Sequence, residues 1–201
     1  MQRDGGTDAL STVVDASATV QTLAVMIAAT VVRWVAGPLG AALFVLSPPV
    51  VLRPWTLLTS VYAHGGLWHL ASNAVALLIV GSIVERRTTR ARFHAFFLTV
   101  GAVSGLAQVT VGSLLTLGLV GVLGASGAIF GCLGYLLAGN RLAGGLLARL
   151  PLSPRATAVV VVLAAGLLAF LGSPPGSALL AHFVGLLLGL VAGRLRLLDA
   201  R

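Results

Sequence analysis

Six apolar stretches separated by short connections constrain the fold of this chain more than any other feature. They are Ala18–Trp34, Leu67–Val84, Phe93–Val111, Ser126–Gly139, Ala156–Leu171 and Ala178–Gly193. An α-helix needs about 20 apolar residues to cross a bilayer core of about 30 Å, and the longer stretches approach that length. The pattern therefore predicts an all-α polytopic membrane protein with six transmembrane helices.

The composition excludes the main soluble classes. Hydrophobic residues make up 58% of the chain and charged residues only 9%, whereas a soluble domain carries about a quarter charged residues. Disordered chains have low hydrophobicity, so that class is excluded as well. The net charge of +8 comes from arginines spread over several connections, and we therefore expect no nucleic-acid partner.

The arginines also predict the orientation of the chain. Three alternate segments, 85–92, 140–155 and the residues after 193, hold ten arginines, against two around the first connection. Because arginine-rich loops stay in the cytoplasm, both termini are expected there. The expected organisation is a cytoplasmic tail at 1–17, a membrane domain at 18–196 and a cytoplasmic tail at 197–201. Arginine without lysine suggests a GC-rich genome, and hence a prokaryotic plasma membrane.

Two connections are unusually apolar. Residues 38–54 contain an apolar run too short to span, which predicts a hairpin embedded in the outer interface as the first outer loop. Residues 112–125 are apolar but interrupted by four glycines. Irregular backbone at membrane depth is tolerated only where protein or water surrounds it. We therefore expect a short fourth helix that begins below the outer surface, beside a polar cavity open to the outer side.

Polar side chains inside apolar helices are candidates for function. Counted from the cytoplasmic ends of their helices at about 1.5 Å per residue, His69 lies at about 24 Å and Ser126 at about 21 Å. Asn73 and His182 both lie at about 18 Å. These four side chains are therefore expected to share one layer of the membrane.

The residue types in this layer suit nucleophilic catalysis. A serine becomes a nucleophile when a neighbouring base takes its proton, and His182 is the available base for Ser126. All acidic residues fall on the expected cytoplasmic side, so the arrangement is a dyad without a carboxylate. His69 and Asn73 are four residues apart on one helical face, where both are placed to donate hydrogen bonds to an oxyanion.

Glycines four residues apart support a close approach of the helices that carry the dyad. They are Gly127 and Gly131 on the fourth helix and Gly185 and Gly189 on the sixth. Small residues at this spacing let helix backbones pack tightly in lipid.

Three motifs resemble those of the rhomboid intramembrane serine proteases. Residues 124–127, Gly-Ala-Ser-Gly, are similar to the GxSG nucleophile motif of that family. Residues 182–189 resemble its H-x-x-G-x-x-x-G helix, and residues 64–73 its H-x4-H-x3-N motif. The resemblance covers about residues 53–193 and depends on the order of the three motifs within a six-helix topology.

The resemblance implies a rhomboid-like bundle and a function. Ser126 would be the nucleophile and His182 the general base, with an oxyanion hole formed by His69, Asn73 and the Ser126 amide. The family cleaves transmembrane segments of other membrane proteins, which enter sideways from the lipid bilayer. No cofactor is implied, and a monomer suffices because all catalytic parts lie in one chain. The family often has Trp-Arg in the first outer loop, where this chain has Trp55-Thr56.

Several of these residues also have structural interpretations. Ser126 and Asn73 also suit helix packing in lipid, and we expect His64 and Trp55 to be gating or structural residues. A metal site is not expected, because His64 and His69 do not share a helical face and no carboxylate or thiol completes a ligand set. The alternative function is a non-catalytic rhomboid-like protein that binds client helices, although the serine and histidine are both present. A small transporter is disfavoured, because neither internal repeats nor a polar route to both sides is visible.

Overall fold

The computed structural model describes residues 17–139, 153–173 and 176–200. Within these ranges the chain forms eight α-helices, a 3₁₀ turn at Val50–Leu52 and no strand. The helices are α1 (Ala18–Val35), α2 (Gly37–Phe44), α3 (Thr56–Thr59), α4 (Leu67–Glu85), α5 (Arg90–Thr116), α6 (Ser126–Ala138), α7 (Pro154–Leu171) and α8 (Leu179–Arg194). The predicted tail at 1–17, apart from Ser17, lies outside the described residues, as do 140–152 of the predicted arginine-rich loop.

Each of the six predicted apolar stretches corresponds to one main helix, and hydroxyl side chains cap the N-termini of α5 and α7. The Ser153 hydroxyl accepts a hydrogen bond from the Ala156 N–H at 3.2 Å, and Pro154 occupies the first turn of α7. The Thr89 hydroxyl caps α5 in the same way at 3.3 Å. Serine and threonine at this position satisfy N–H groups that have no intrahelical partner, so both helices begin before their apolar stretches do.

In the part of the chain that the structure describes, four helices are long and apolar enough to cross a membrane: α1, α4, α5 and α7. The helices α6 and α8 are also apolar but shorter. Large apolar side chains such as Val35, Trp68 and Leu163 remain on the outside of the bundle. A helix that is apolar on its outer face as well as its inner one is typical of a protein surrounded by lipid.

The third long helix differs from the sequence prediction at its C-terminal end. Gly112 was expected to break the helix after Val111, but α5 continues to Thr116. The Thr116 hydroxyl donates to the Gly112 carbonyl at 2.9 Å, and a left-handed Leu117 (φ 53°) ends the helix. A single glycine costs a helix only about 1 kcal/mol, which is too little to stop a long apolar helix.

The α6 helix contacts α4, α5 and α8, which places it inside the bundle. Its contact with α8 is unusually close. A Cβ atom on Gly185 would collide with the carbonyl oxygen of Gly127, and one on Gly189 with that of Gly131. The two backbones are therefore in direct contact, and this contact places the start of α8 beside the start of α6.

The predicted hairpin at 38–54 contains α2 and the 3₁₀ turn. After α2, Leu46 pairs with Val122 through two backbone hydrogen bonds of 3.0 and 2.8 Å. Leu46 is fully buried at this point. The first loop thus holds the segment that leads into α6.

Candidate active site

Ser126 and His182 meet where α6 and α8 begin. Ser126 is the first residue of α6, and His182 lies in the first turn of α8. The His182 Nε2 atom is 2.8 Å from the Ser126 Oγ atom, a hydrogen-bonding distance. His182 is buried, and its backbone N–H donates to the Ala178 carbonyl at 3.1 Å. The two residues predicted as a dyad are therefore in direct contact.

Among the described residues, two further side chains contact the His182 ring, and neither was predicted from the sequence. The Phe130 ring stacks on it with centroids 4.5 Å apart and planes 12° apart. The Ser173 Oγ atom, just beyond α7, is 2.5 Å from His182 Nδ1. The position of Phe130 could have been predicted from its spacing, since it follows Ser126 by one helical turn and so lies on the same helical face. The contact of Ser173 could not have been predicted in this way, because Ser173 lies beyond the end of α7, in a connection without helical periodicity.

His69 and Asn73 line the same cavity as Ser126 and His182. This cavity has a volume of about 410 Å³. The Asn73 Nδ2 atom donates to the His69 carbonyl at 2.8 Å, one turn earlier in α4. An amide nitrogen carries two N–H groups, so this bond leaves the second one for a ligand in the cavity. The structure thus brings together the four polar residues that were expected in one layer.

Gly124 brings the backbone close to His69. A Cβ atom at this position would lie 2.8 Å from the Nε2 atom of the His69 ring, which is too close for a side chain. Gly124 also has φ 125°, a conformation that other residues rarely adopt. Its N–H donates to the Ser60 carbonyl at 2.8 Å. Glycine is therefore required two residues before Ser126.

His64 is fully buried next to the same turn. Its Nε2 atom accepts a hydrogen bond from the Ala125 N–H at 3.4 Å, and its Nδ1 atom is 3.3 Å from the Thr30 hydroxyl. Burial, and to a lesser extent His69, lowers the pKa of His64 to about 4. The ring is therefore neutral at pH 7, as an acceptor nitrogen requires. His64 supports the residue that precedes Ser126.

Trp55 lies outside this group. Its side chain is partly exposed, and it does not line the cavity in the part of the chain that the structure describes. The neighbouring Thr56 is buried and donates its hydroxyl to the Arg53 carbonyl at 2.6 Å. The Arg53 guanidinium in turn donates to the Ser47 hydroxyl at 2.9 Å. Arg53 and Thr56 thus take part in the internal bonding of the first loop.

Gln108 is a third residue near the site that was not predicted from the sequence. Its Oε1 atom accepts a hydrogen bond from the Ala181 N–H at 3.1 Å, which supports the residue before His182. An amide side chain within an apolar helix is a usable signal, because polar groups are expensive in lipid.

The fold and the site together define a multi-pass helical membrane protein with a serine–histidine pair in a cavity between its helices. The rhomboid domain family matches residues 52–198. The chain therefore belongs to the rhomboid family, as the sequence predicted.

Similar curated proteins agree with this assignment over a shorter region. The chain is 42% identical over 83 residues to rhomboid protease GluP of Bacillus subtilis, and 38% identical over 84 residues to the putative rhomboid protease YdcA of the same species. RHOMBOID-like protein 5 of Arabidopsis thaliana is 34% identical over 84 residues. Each match covers 41% of this chain, and they cover 15%, 40% and 26% of these relatives respectively.

Proposed function

We propose that this protein is an intramembrane serine endopeptidase that cleaves transmembrane segments of other membrane proteins. The observation that carries the proposal is the 2.8 Å contact between His182 Nε2 and Ser126 Oγ beside the cavity. A serine is a weak nucleophile unless a base within hydrogen-bonding distance takes its proton. Similarity to GluP, which is named a rhomboid protease, supports the same activity.

In the first step, Ser126 Oγ attacks the carbonyl carbon of the scissile peptide bond, and His182 Nε2 takes the hydroxyl proton. The peptide carbonyl oxygen becomes an oxyanion. When the tetrahedral intermediate collapses, the C–N bond breaks and the His182 imidazolium protonates the leaving amine. A water molecule then attacks the ester at Ser126, with His182 as its base, and releases the acid product.

The oxyanion is stabilised by three donors. The Ser126 N–H lies in the first turn of α6, where backbone N–H groups have no intrahelical acceptor. Asn73 contributes its second amide hydrogen, and His69 a ring N–H. Donors aimed at a developing negative charge are often the largest single contribution to catalysis, at about 10²- to 10³-fold for each donor.

The substrate class follows from the surroundings of the site. The cavity lies among apolar helices, so a segment that reaches it from lipid must itself be apolar. We place the six main helices across the membrane with both termini in the cytoplasm, following the arginine distribution. In this arrangement residues 18–196 form the membrane domain, and the cavity opens to the outer side.

The proposal is tested by labelling the full chain in mild detergent with a fluorophosphonate probe. The wild type is compared with Ser126→Ala, His182→Ala and the control Ser82→Ala, whose hydroxyl is exposed on α4 and bonds the Ile79 carbonyl at 3.1 Å. The same four proteins are assayed in liposomes for cleavage of a model transmembrane substrate. We expect the wild type and Ser82→Ala to label and cleave, and the two dyad variants to do neither.

Labelling of Ser126→Ala at the wild-type rate would contradict the proposal. So would a folded wild type that neither labels nor cleaves while a soluble serine protease labels in the same buffer. That second result would favour the client-binding alternative.

A further inference from the structure

The second ring nitrogen of the dyad histidine, His182 Nδ1, also has a hydrogen-bond partner. In serine proteases built on a triad, a carboxylate accepts a hydrogen bond from the second ring nitrogen of the histidine. All acidic residues of this chain were expected on the cytoplasmic side, and the described contact to His182 Nδ1 is a hydroxyl. It comes from Ser173, at 2.5 Å.

The two contacts of the Ser173 hydroxyl show which of them it donates to and which it accepts from. Its Oγ atom also lies 2.5 Å from the carbonyl oxygen of Ala169, one turn earlier in α7. A carbonyl can only accept, so the single hydroxyl proton of Ser173 points to Ala169. The Ser173 Oγ atom must then accept a hydrogen bond from His182 Nδ1. The ring proton of His182 is therefore on Nδ1.

This direction selects one tautomer of the imidazole. A neutral ring with its proton on Nδ1 has a bare Nε2 atom, which can accept the proton of the Ser126 hydroxyl. The opposite tautomer would present an N–H group to Ser126 and could not act as a base. When Nε2 takes the proton during the reaction, the Nδ1–H group of the imidazolium still has its acceptor.

The position of the hydroxyl is also well defined. The Ser173 N–H donates to the Phe170 carbonyl at 3.2 Å, which ties the residue to the end of α7. A Cβ atom on the preceding Gly172 would lie 2.9 Å from the Phe130 ring, so glycine allows α7 to end against that ring. Phe130 in turn stacks on His182. The imidazole is therefore held on one face by Phe130 and at its two nitrogens by Ser126 and Ser173.

We propose that Ser173 is the positioning residue of the dyad, which selects the Nδ1–H tautomer of His182 through the chain Ser126–His182–Ser173–Ala169. This inference rests on the proposed protease function. It assigns the role of the triad carboxylate to a neutral hydroxyl, whose own proton is directed by a main-chain carbonyl.

Steady-state cleavage of a transmembrane substrate in liposomes tests the proposal. The variants are Ser173→Ala, Ser173→Thr, which keeps the hydroxyl, and Ser82→Ala, which makes the same change on α4. We expect Ser173→Ala to lower kcat about tenfold with KM changed less than about twofold, as for loss of one hydrogen bond made to the reacting base. Ser173→Thr should restore most of kcat, and Ser82→Ala should match the wild type.

The ring ¹⁵N spectrum of histidine-labelled full-length protein at pH 7 reads the tautomer directly. The His182 signals are assigned by their loss in His182→Ala. We expect the wild type to show a protonated Nδ1 and a bare Nε2, and Ser173→Ala to populate the other tautomer.

The outcomes separate the two proposals. A wild-type ring protonated on Nε2 overturns the role of Ser173 even if no Ser173 variant folds, and so does unchanged kcat in Ser173→Ala. A wild type that does not cleave would overturn the protease function. In that case the spectrum still determines whether Ser173 selects the tautomer.

Discussion

Gly185 and Gly127 bring the backbones of α8 and α6 into direct contact, since a Cβ atom on Gly185 would collide with the Gly127 carbonyl oxygen. Ser126 precedes one of these glycines, and His182 lies one turn before the other. The 2.8 Å contact of the proposed dyad therefore depends on a helix contact made one residue away from Ser126.

We expect Gly185→Ala to destabilise the protein by about 3 kcal/mol, at the upper end for added core volume, because main-chain atoms cannot rotate away. It should also slow labelling of Ser126 by separating the helices. Thermal unfolding in detergent and the labelling rate measure the two effects. The matched control is Gly166→Ala in α7, where the nearest atom to the new Cβ is 3.8 Å away in the Phe183 ring. Equal stability of the two variants would contradict the close packing.

His64→Ala should slow labelling of Ser126 although His64 is outside the dyad. The change leaves the buried Ala125 N–H without its acceptor, at a cost of about 1–3 kcal/mol, and frees the turn that carries Ser126. The labelling rate is measured relative to the folded fraction. His94→Ala serves as the control, since His94 bonds the Gln21 side chain at 2.8 Å and does not line the cavity. An unchanged labelling rate in His64→Ala would show that the turn before Ser126 keeps its conformation without the hydrogen bond to His64.

Asn73→Ala should lower kcat by about 10²- to 10³-fold with little change in KM, as expected for a donor that acts mainly in the transition state. The structural contribution of Asn73 is separated from the catalytic one by Ser72→Ala. Ser72 Oγ donates to the same His69 carbonyl at 3.1 Å, against 2.8 Å for Asn73. We expect Ser72→Ala to change kcat less than threefold. A similar loss in both variants would assign Asn73 a structural role.

The candidate site was largely accessible to sequence reasoning because helical geometry is local. A rise of about 1.5 Å per residue converts the positions of His69, Asn73, Ser126 and His182 into similar depths without any knowledge of packing. The end of α5 was predicted wrongly at Val111. Four glycines in 112–125 indicated irregular backbone, but the first of them is accommodated within the helix.

The sequence by itself determined the membrane class, the positions of the main helices and the motifs of the rhomboid family, because apolar length and residue spacing are local properties. Only the tertiary structure decided what surrounds the His182 ring and the turn before Ser126. Ser173 reaches His182 across the end of one helix and the start of the next, and His64 reaches Ala125 over 61 positions of the chain. Such contacts depend on how the helices approach one another sideways. That approach is set by packing over the whole bundle, and it cannot be predicted from the periodicity of residues in the sequence.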